Sequence, residues 1–186
     1  MSELRVRVLG GLMVEGVDDA GLGSRKARTL VKVLALGRSQ PVRVDELVLA
    51  LWGDLPPARP ADQVTVLVSR LRRVLGADRL PRADGGYALR VDWLDLDALG
   101  DLVAEAERRL QAGATTAART AAAAALALAR GPLLPEEIDA EWAEADRALA
   151  DRLIARARHA GASAALATGD PPSAADLASR ALDHDP

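Results

Sequence analysis

The chain has 186 residues and a formal net charge of −3, and it contains no cysteine. Disulfides, thiol catalysis and Cys-ligated zinc are therefore excluded, and a reducing compartment is the natural setting. The length fits one large domain or two small ones. Charged residues interrupt the N-terminus from Glu3 onward, so it reads as no signal peptide. The Ala-rich run Ala121–Ala129 is too short to span a bilayer. A cytoplasmic protein without membrane contact is expected. Charge is divided unevenly: residues 1–92 carry 15 Lys and Arg against 11 Asp and Glu, and residues 93–186 carry 9 against 16. A basic first half and an acidic second half point to a polyanion partner for one and other partners for the other.

In chain order, the alternation of Leu4, Val6 and Val8 predicts a half-buried strand, and Gly10-Gly11 turns it into a second strand over 12–15. Residues 21–24 read as a loop whose Ser24 caps a helix over 25–36. The inward stripe of that helix is Ala27, Leu30, Val31, Val33 and Leu34, and Gly37 stops it. Residues 41–44 are extended, and Asp45 is expected to cap a compact helix over 46–52. The third helix, over 61–75, carries Val64, Leu67, Val68, Leu71 and Leu75 on one face. Its opposite face carries Asp62, Val66, Ser69, Arg70 and Arg73, with Thr65 and Arg72 on one flank and Gln63 on the other. A β-hairpin is predicted from 79–82 and 87–91, joined through Ala83-Asp84-Gly85-Gly86.

Strand signals vanish from Leu96 on. Helices are predicted over 97–111, 116–130, 137–166 and 173–182, with Gly161 a weak point, Pro132 and Pro135 in a loop, and Ser173 a cap. The acidic residues Glu136, Glu137, Asp139 and Glu141 read as a solvated helix start. Gly113, Ala118 and Ala125 have the spacing of Gly169, Ala174 and Ala181, and Pro186 follows at tetratricopeptide spacing. The chain stops where a further helix would cover the last hairpin, so the helical domain is expected to be incomplete.

The fold class is thus mainly α with a small β component. A winged helix-turn-helix DNA-binding domain over 1–92 precedes an all-α, tetratricopeptide-like domain over 93–186. The third helix is long enough to lie along a major groove. Arg70 and Arg73 suit bidentate bonds to guanine or a phosphate clamp, Val66 suits a thymine methyl, and Arg72 at the flank suits a phosphate. A solvated face is the competing reading of Ser69-Arg70-Leu71-Arg72-Arg73. Trp52, Trp93 and Trp142 read as core or domain-contact residues, with Trp93 pinning the two modules. No enzyme is expected and no cofactor or metal. Only His159 and His184 occur, and neither lies in a ligand-spaced cluster.

The run Ala61–Gly76 resembles the recognition helix of OmpR-type regulators, specifically the SARP-type activators. Arg25-Lys26-Ala27-Arg28-Thr29-Leu30, Val44–Leu47 through Leu51-Trp52-Gly53, and Gly85-Gly86-Tyr87-Ala88-Leu89 agree with that family. Residues 93–186 resemble the bacterial transcriptional activator domain, including Gly131–Leu134 and Trp142. The resemblance implies base contacts from Thr65, Val66, Ser69 and Arg70, and phosphate or base contacts from Arg72 and Arg73. It further implies that Trp52 and Gly53 form a backbone-contacting corner, with Arg82 near the wing arginine that enters the minor groove. Ala83 and Asp84 depart from the family pattern, and Asp84 opposes a phosphate. Asp62 is a second departure, suited to a cytosine amine or to orienting Arg70 or Arg73. The implied mechanism is activation by recruitment. The winged helix binds direct repeats of double-stranded DNA upstream of a promoter as a homodimer. The acidic domain then dimerises or touches RNA polymerase. The alternative is a helical-repeat interaction scaffold whose winged helix has lost DNA binding.

Overall fold

The computed structural model describes residues 3–182, and side chains through residue 180. Strands β1 (Arg5–Arg7) and β2 (Met13–Val14) pair antiparallel as the alternation requires, with Val6 opposite Val14. A short helix α1 (Asp19–Leu22) follows, capped by the Asp18 carboxylate on the Gly21 amide. Part of the expected loop over 21–24 is thus helical. Four residues are too few to show a helical period. Helix α2 (Arg25–Leu36) begins where Ser24 accepts from the Ala27 amide, as the capping pattern predicts.

Strand β3 (Val42–Arg43) leads into α3 (Val44–Trp52). Arg43, not Asp45, holds the N-cap position; Asp45 lies in the first turn and pairs with Arg43 at 3.1 Å. An acidic residue there complements the helix dipole without capping it. Helix α4 (Pro60–Leu75) starts on a proline at its first turn, a place that needs no amide hydrogen. Val64, Leu67, Val68 and Leu71 of its stripe are buried, and Leu75 packs partly buried beside them. Each buried aliphatic contributes roughly 1.5–3 kcal/mol.

The wing is shorter than its sequence pattern. Residues 77–79 form a 3-10 turn, and only β4 (Arg82–Ala83) and β5 (Gly86–Tyr87) pair, around Asp84 and Gly85, both at positive φ. This is a two-residue turn whose twist matches a hairpin. The other edge of β5 is taken by β3, with Val42 opposite Tyr87. Gly86 is required there: a Cβ would overlap the Val42 carbonyl.

Strand β6 (Trp93–Leu94) returns to the first sheet and pairs parallel to β1, giving the order β2-β1-β6. Helices α1 to α4 and the wing are therefore inserted between two neighbouring strands. Beyond β6 lie α5 (Asp95–Gln111), α6 (Thr115–Leu128), α7 (Glu144–Ala167) and α8 (Pro171–Leu182), each packed on the next, with α5 also against α7. Ala106, Ala121, Ala122 and Ala160 form a small-residue cluster among them, which lets the backbones approach closely. Gly161 is no break in α7. A Cβ there would lie 3.1 Å from Leu177 and 3.5 Å from Ala122, so it marks the closest approach of α7 to its neighbours. The cap of α8 is Asp170, whose carboxylate accepts from the Ser173 amide at 3.2 Å, so Ser173 sits inside the first turn. His159 is exposed, as expected. His184 and Pro186 lie outside the described residues, as does the side chain of Ala181.

Helix α7 begins at Glu144 and not near 137, because residues 129–143 have another task. Leu133 bridges to Leu9, the Gly10 amide donates to the Pro132 carbonyl and the Leu134 amide to the Val8 carbonyl. Gly10 at φ +86 lets the two backbones meet, with a Cβ only 3.2 Å from Arg130 and Gly131. Asp95, fully buried, accepts from the Val8 and Leu9 amides at 2.8 and 3.0 Å. Burial pushes its carboxyl above the ordinary carboxylate range, and the two amides offset part of that push.

The acidic pair Glu136-Glu137 differs from the sequence expectation. It is no solvated helix start. Lys32 of α2, only 5% exposed at its side chain, is 2.9 Å from both carboxylates, and Thr29 also bonds Glu137. One buried apolar cluster consequently runs from Leu4 to Ala157 across both halves.

Candidate nucleic-acid interface

The outward face of α4 is open along its length. Gln63, Thr65, Val66, Ser69, Arg70 and Arg73 are all exposed, with Val66 at 44%. Their register follows from the buried stripe: side chains at i, i+3, i+4 and i+7 point inward, and the intervening ones must face away. Asp62 lies in the first turn of the same helix, where a carboxylate is favoured by the helix dipole whatever else it contacts. Arg70 and Arg73 border a hollow with Gly21, Ser24, Ala27 and Val74, so the cationic half of the face adjoins the start of α2.

The wing stands beside the other half. Thr65 donates or accepts with the Tyr87 hydroxyl at 3.4 Å while also bonding the Ala61 carbonyl. Arg82 is exposed and lies with its guanidinium 5.9 Å from the Tyr87 ring. Asp84 is exposed at the wing tip.

Arg72 is placed differently from the other cations. Its Nε and Nη2 both donate to the Leu80 carbonyl, at 3.0 and 2.6 Å, and its guanidinium lies 5.9 Å from the Tyr87 ring. It clasps α4 to the base of the wing. Sequence spacing could not show this, because the partner is a backbone oxygen of the turn after the helix.

Trp52 and Gly53 form the corner at the end of α3. The indole is partly buried on the core, with the Lys26 ammonium 4.9 Å above its ring. The Gly53 amide donates to the Leu49 carbonyl at 2.7 Å and closes the helix, so its hydrogen is already engaged. Trp142 also packs against the core. Trp93 lies near Arg5 and Arg7, whose guanidiniums are 4.1 and 5.2 Å from its ring. Trp93, opposite Arg5 in the β1–β6 register, joins the two halves together with Asp95, Leu133-Leu134 and Lys32. Among the described residues no helix is long and apolar enough to cross a membrane, and no group of His, Asp or Glu is arranged to hold a metal ion.

A three-helix unit with a paired wing, closed by a helical array, defines a winged-helix protein with an appended helical domain. Comparison with known proteins gives its family. Residues 94–186 match the bacterial transcriptional activator domain, and the chain belongs to that family, with SARP-type regulators as its relatives. It is 38% identical over 120 residues to the regulatory protein AfsR of Streptomyces griseus, covering 63% of this chain and 12% of that protein. It is 33% identical over 151 residues to the transcriptional regulatory protein EmbR of Mycobacterium bovis, covering 75% of this chain and 39% of that one. The solved structure of Mycobacterium tuberculosis EmbR in complex with a low-affinity phosphopeptide superposes with a TM-score of 0.87 at 28% identity. That match spans 99% of this chain and 51% of that one. The chain thus spans well under two thirds of the relatives it matches.

Proposed function

We propose that the chain is a sequence-specific DNA-binding activator of transcription. Residues 1–92 act as the winged-helix DNA-binding domain and residues 93–186 as the helical activator domain. The observation that carries this reading is the exposed row of Thr65, Val66, Ser69, Arg70 and Arg73 on a helix otherwise anchored by four buried aliphatics. Such a helix presents bidentate donors, a hydroxyl and a methyl-sized apolar contact to base edges in a major groove. Gln63 extends the row, and Arg82 is near enough to the helix to reach a flanking groove or phosphate. Trp52 and Gly53 would border the DNA backbone beside α3, chiefly through the indole. Arg72 contributes by fixing the wing on α4.

The acidic helical half supports a separate task. It repels DNA phosphates, which keeps the cationic face of α4 as the docking side. In the proposed mechanism two copies occupy direct repeats upstream of a promoter, and the acidic half dimerises or contacts RNA polymerase in the cytoplasm. The names of the relatives, regulatory and transcriptional regulatory proteins, support the regulatory part.

The test is selection of binding sites from randomised duplexes at low and moderate salt. A repeated motif whose affinity falls steeply with salt is the expected outcome, since counterion release supplies much of the binding. Lack of binding at both salts would overturn the reading in favour of an interaction scaffold.

A further inference from the structure

A groove of about 930 Å³ separates α3 from the segment joining α6 to α7. Leu49 of α3 stands on one wall and Ile138 and Trp142 on the other, with Val33 and Leu36 of α2 also lining it. Leu49 is 62% exposed and Ile138 is 70% exposed. Two large aliphatics facing one trough are costly to leave in water, and contiguous exposure of this kind marks an interaction surface.

The rim is acidic. Glu46, Asp54, Asp139 and Glu141 line the groove, and Arg25 is the sole cation among its lining residues. Those four carboxylates lack salt bridges among the described residues, whereas Glu136 and Glu137 are paired with Lys32 and Asp146 with Arg38. The far wall is preformed: Arg147 donates to the Glu137 carbonyl at 3.0 Å and to the Ala140 carbonyl at 2.8 Å. A wall already held in place costs little ordering entropy on binding. Phosphate is a poor match for such a rim, and so is an acidic peptide.

We propose that this groove is a docking site for a basic amphipathic helix of a second protein. Its aliphatic side chains seat between Leu49 and Ile138, and its Lys and Arg residues meet Glu46, Asp54, Asp139 and Glu141. This is helix-in-groove recognition, with anchors one turn apart. A nine-residue α3 is about 13 Å long, so about two and a half turns of the incoming helix lie along it. Because one wall comes from α3 and the other from the α6–α7 segment, the bound helix fastens the two halves together. No residue of α4 lines the groove, and of the candidate DNA contacts only Gly53 does, at its edge, so the peptide titration is run without DNA.

The probe is a capped peptide of about 12 residues built from Leu, Ala and Lys, with Leu at i, i+3 and i+4. A matched peptide carries Glu in place of Lys. The isotope-labelled full chain is titrated with each, following amide chemical shifts and peptide anisotropy. The expected result is saturable binding of the Lys peptide that weakens with salt and moves the resonances of Glu46, Leu49, Ile138 and Asp139. Leu49→Ser and Ile138→Ser should each weaken it roughly tenfold or more, while Leu166→Ser, an exposed change on α7, leaves it unaltered. Shifts confined to another surface, equal affinity across these variants, or equal binding of the Glu peptide would overturn the proposal. Self-association of the free chain that Leu49→Ser abolishes would assign the groove to a second copy and overturn it equally.

Discussion

Replacing Arg72 by alanine separates a structural cation from DNA-contacting ones. Its guanidinium supplies two donors to the Leu80 carbonyl, at 3.0 and 2.6 Å, and Leu80 is fully buried. A hydrogen bond from a charged donor is worth about 1.5–3 kcal/mol, and an arginine near a tyrosine ring adds about 0.5–1 kcal/mol. Arg72 is partly exposed, which lowers both figures, so Arg72→Ala should cost about 2–3 kcal/mol. For a chain of this size the melting temperature should fall by roughly 4–12 °C. Calorimetry measures that drop. A parallel salt titration of duplex binding, well below the transition, should give a slope close to that of the parent. Arg73→Ala should do the reverse, with unchanged stability and a salt slope smaller by about one. An Arg72→Ala protein of parental stability whose salt slope falls would refute the clasp and return Arg72 to the phosphate backbone.

Three further perturbations probe the joints of the fold. Lys32→Met leaves the Glu136 and Glu137 carboxylates together without their cation, and breaking a buried pair costs about 3–5 kcal/mol. Glu136 is 39% exposed, so chemical denaturation should give a loss near the lower bound; a loss under about 1 kcal/mol would contradict the buried network. Gly86→Ala should cost about 1–3 kcal/mol by overpacking against Val42, and hydrogen exchange should show loosening of the β3–β5 pair first. The third concerns acid. Burial raises the Glu136 pKa, but hydrogen bonds from Lys32 and the Leu12 amide outweigh it and hold the group below its ordinary 4.5. A depressed folded-state pKa gives stability that is full above 4.5 and lost as pH falls through the folded value. Glu136→Gln should therefore flatten the acid side of the stability profile, and an unaltered profile would contradict the assignment.

The parts of the molecule legible in the sequence are those set by local repetition. The stripe Val64, Leu67, Val68 and Leu71 fixes the orientation of α4 and with it the outward row of candidate DNA contacts, and Ser24 fixes the start of α2. What was not legible depends on distant partners. Strand β6 is two residues long and exists because Arg5 and Val6 pair with Trp93 and Leu94, a register no local period encodes. The same holds for β3 against β5. Residues 137–143 carry a helical composition, yet Leu133 and Leu134 tie the preceding segment to β1 and Lys32 captures Glu137, so α7 starts later. Lys32 sits in sequence between Val31 and Val33, and nothing in that local pattern points to the distant Glu136 and Glu137 that hold it. Arg72 reads in sequence as a flank cation for a phosphate, because the Leu80 carbonyl that holds it is invisible in a pattern of side chains.

The central claim, that the outward face of α4 reads DNA, is tested most directly at Arg70. The parent and Arg70→Ala are titrated against the duplex selected from the random pool and against a version altered at one base pair. Arg70→Ala should lose about 1–3 kcal/mol on the selected duplex and relax discrimination at a single position, with stability unchanged. Equal affinity and equal discrimination in the two proteins would contradict it.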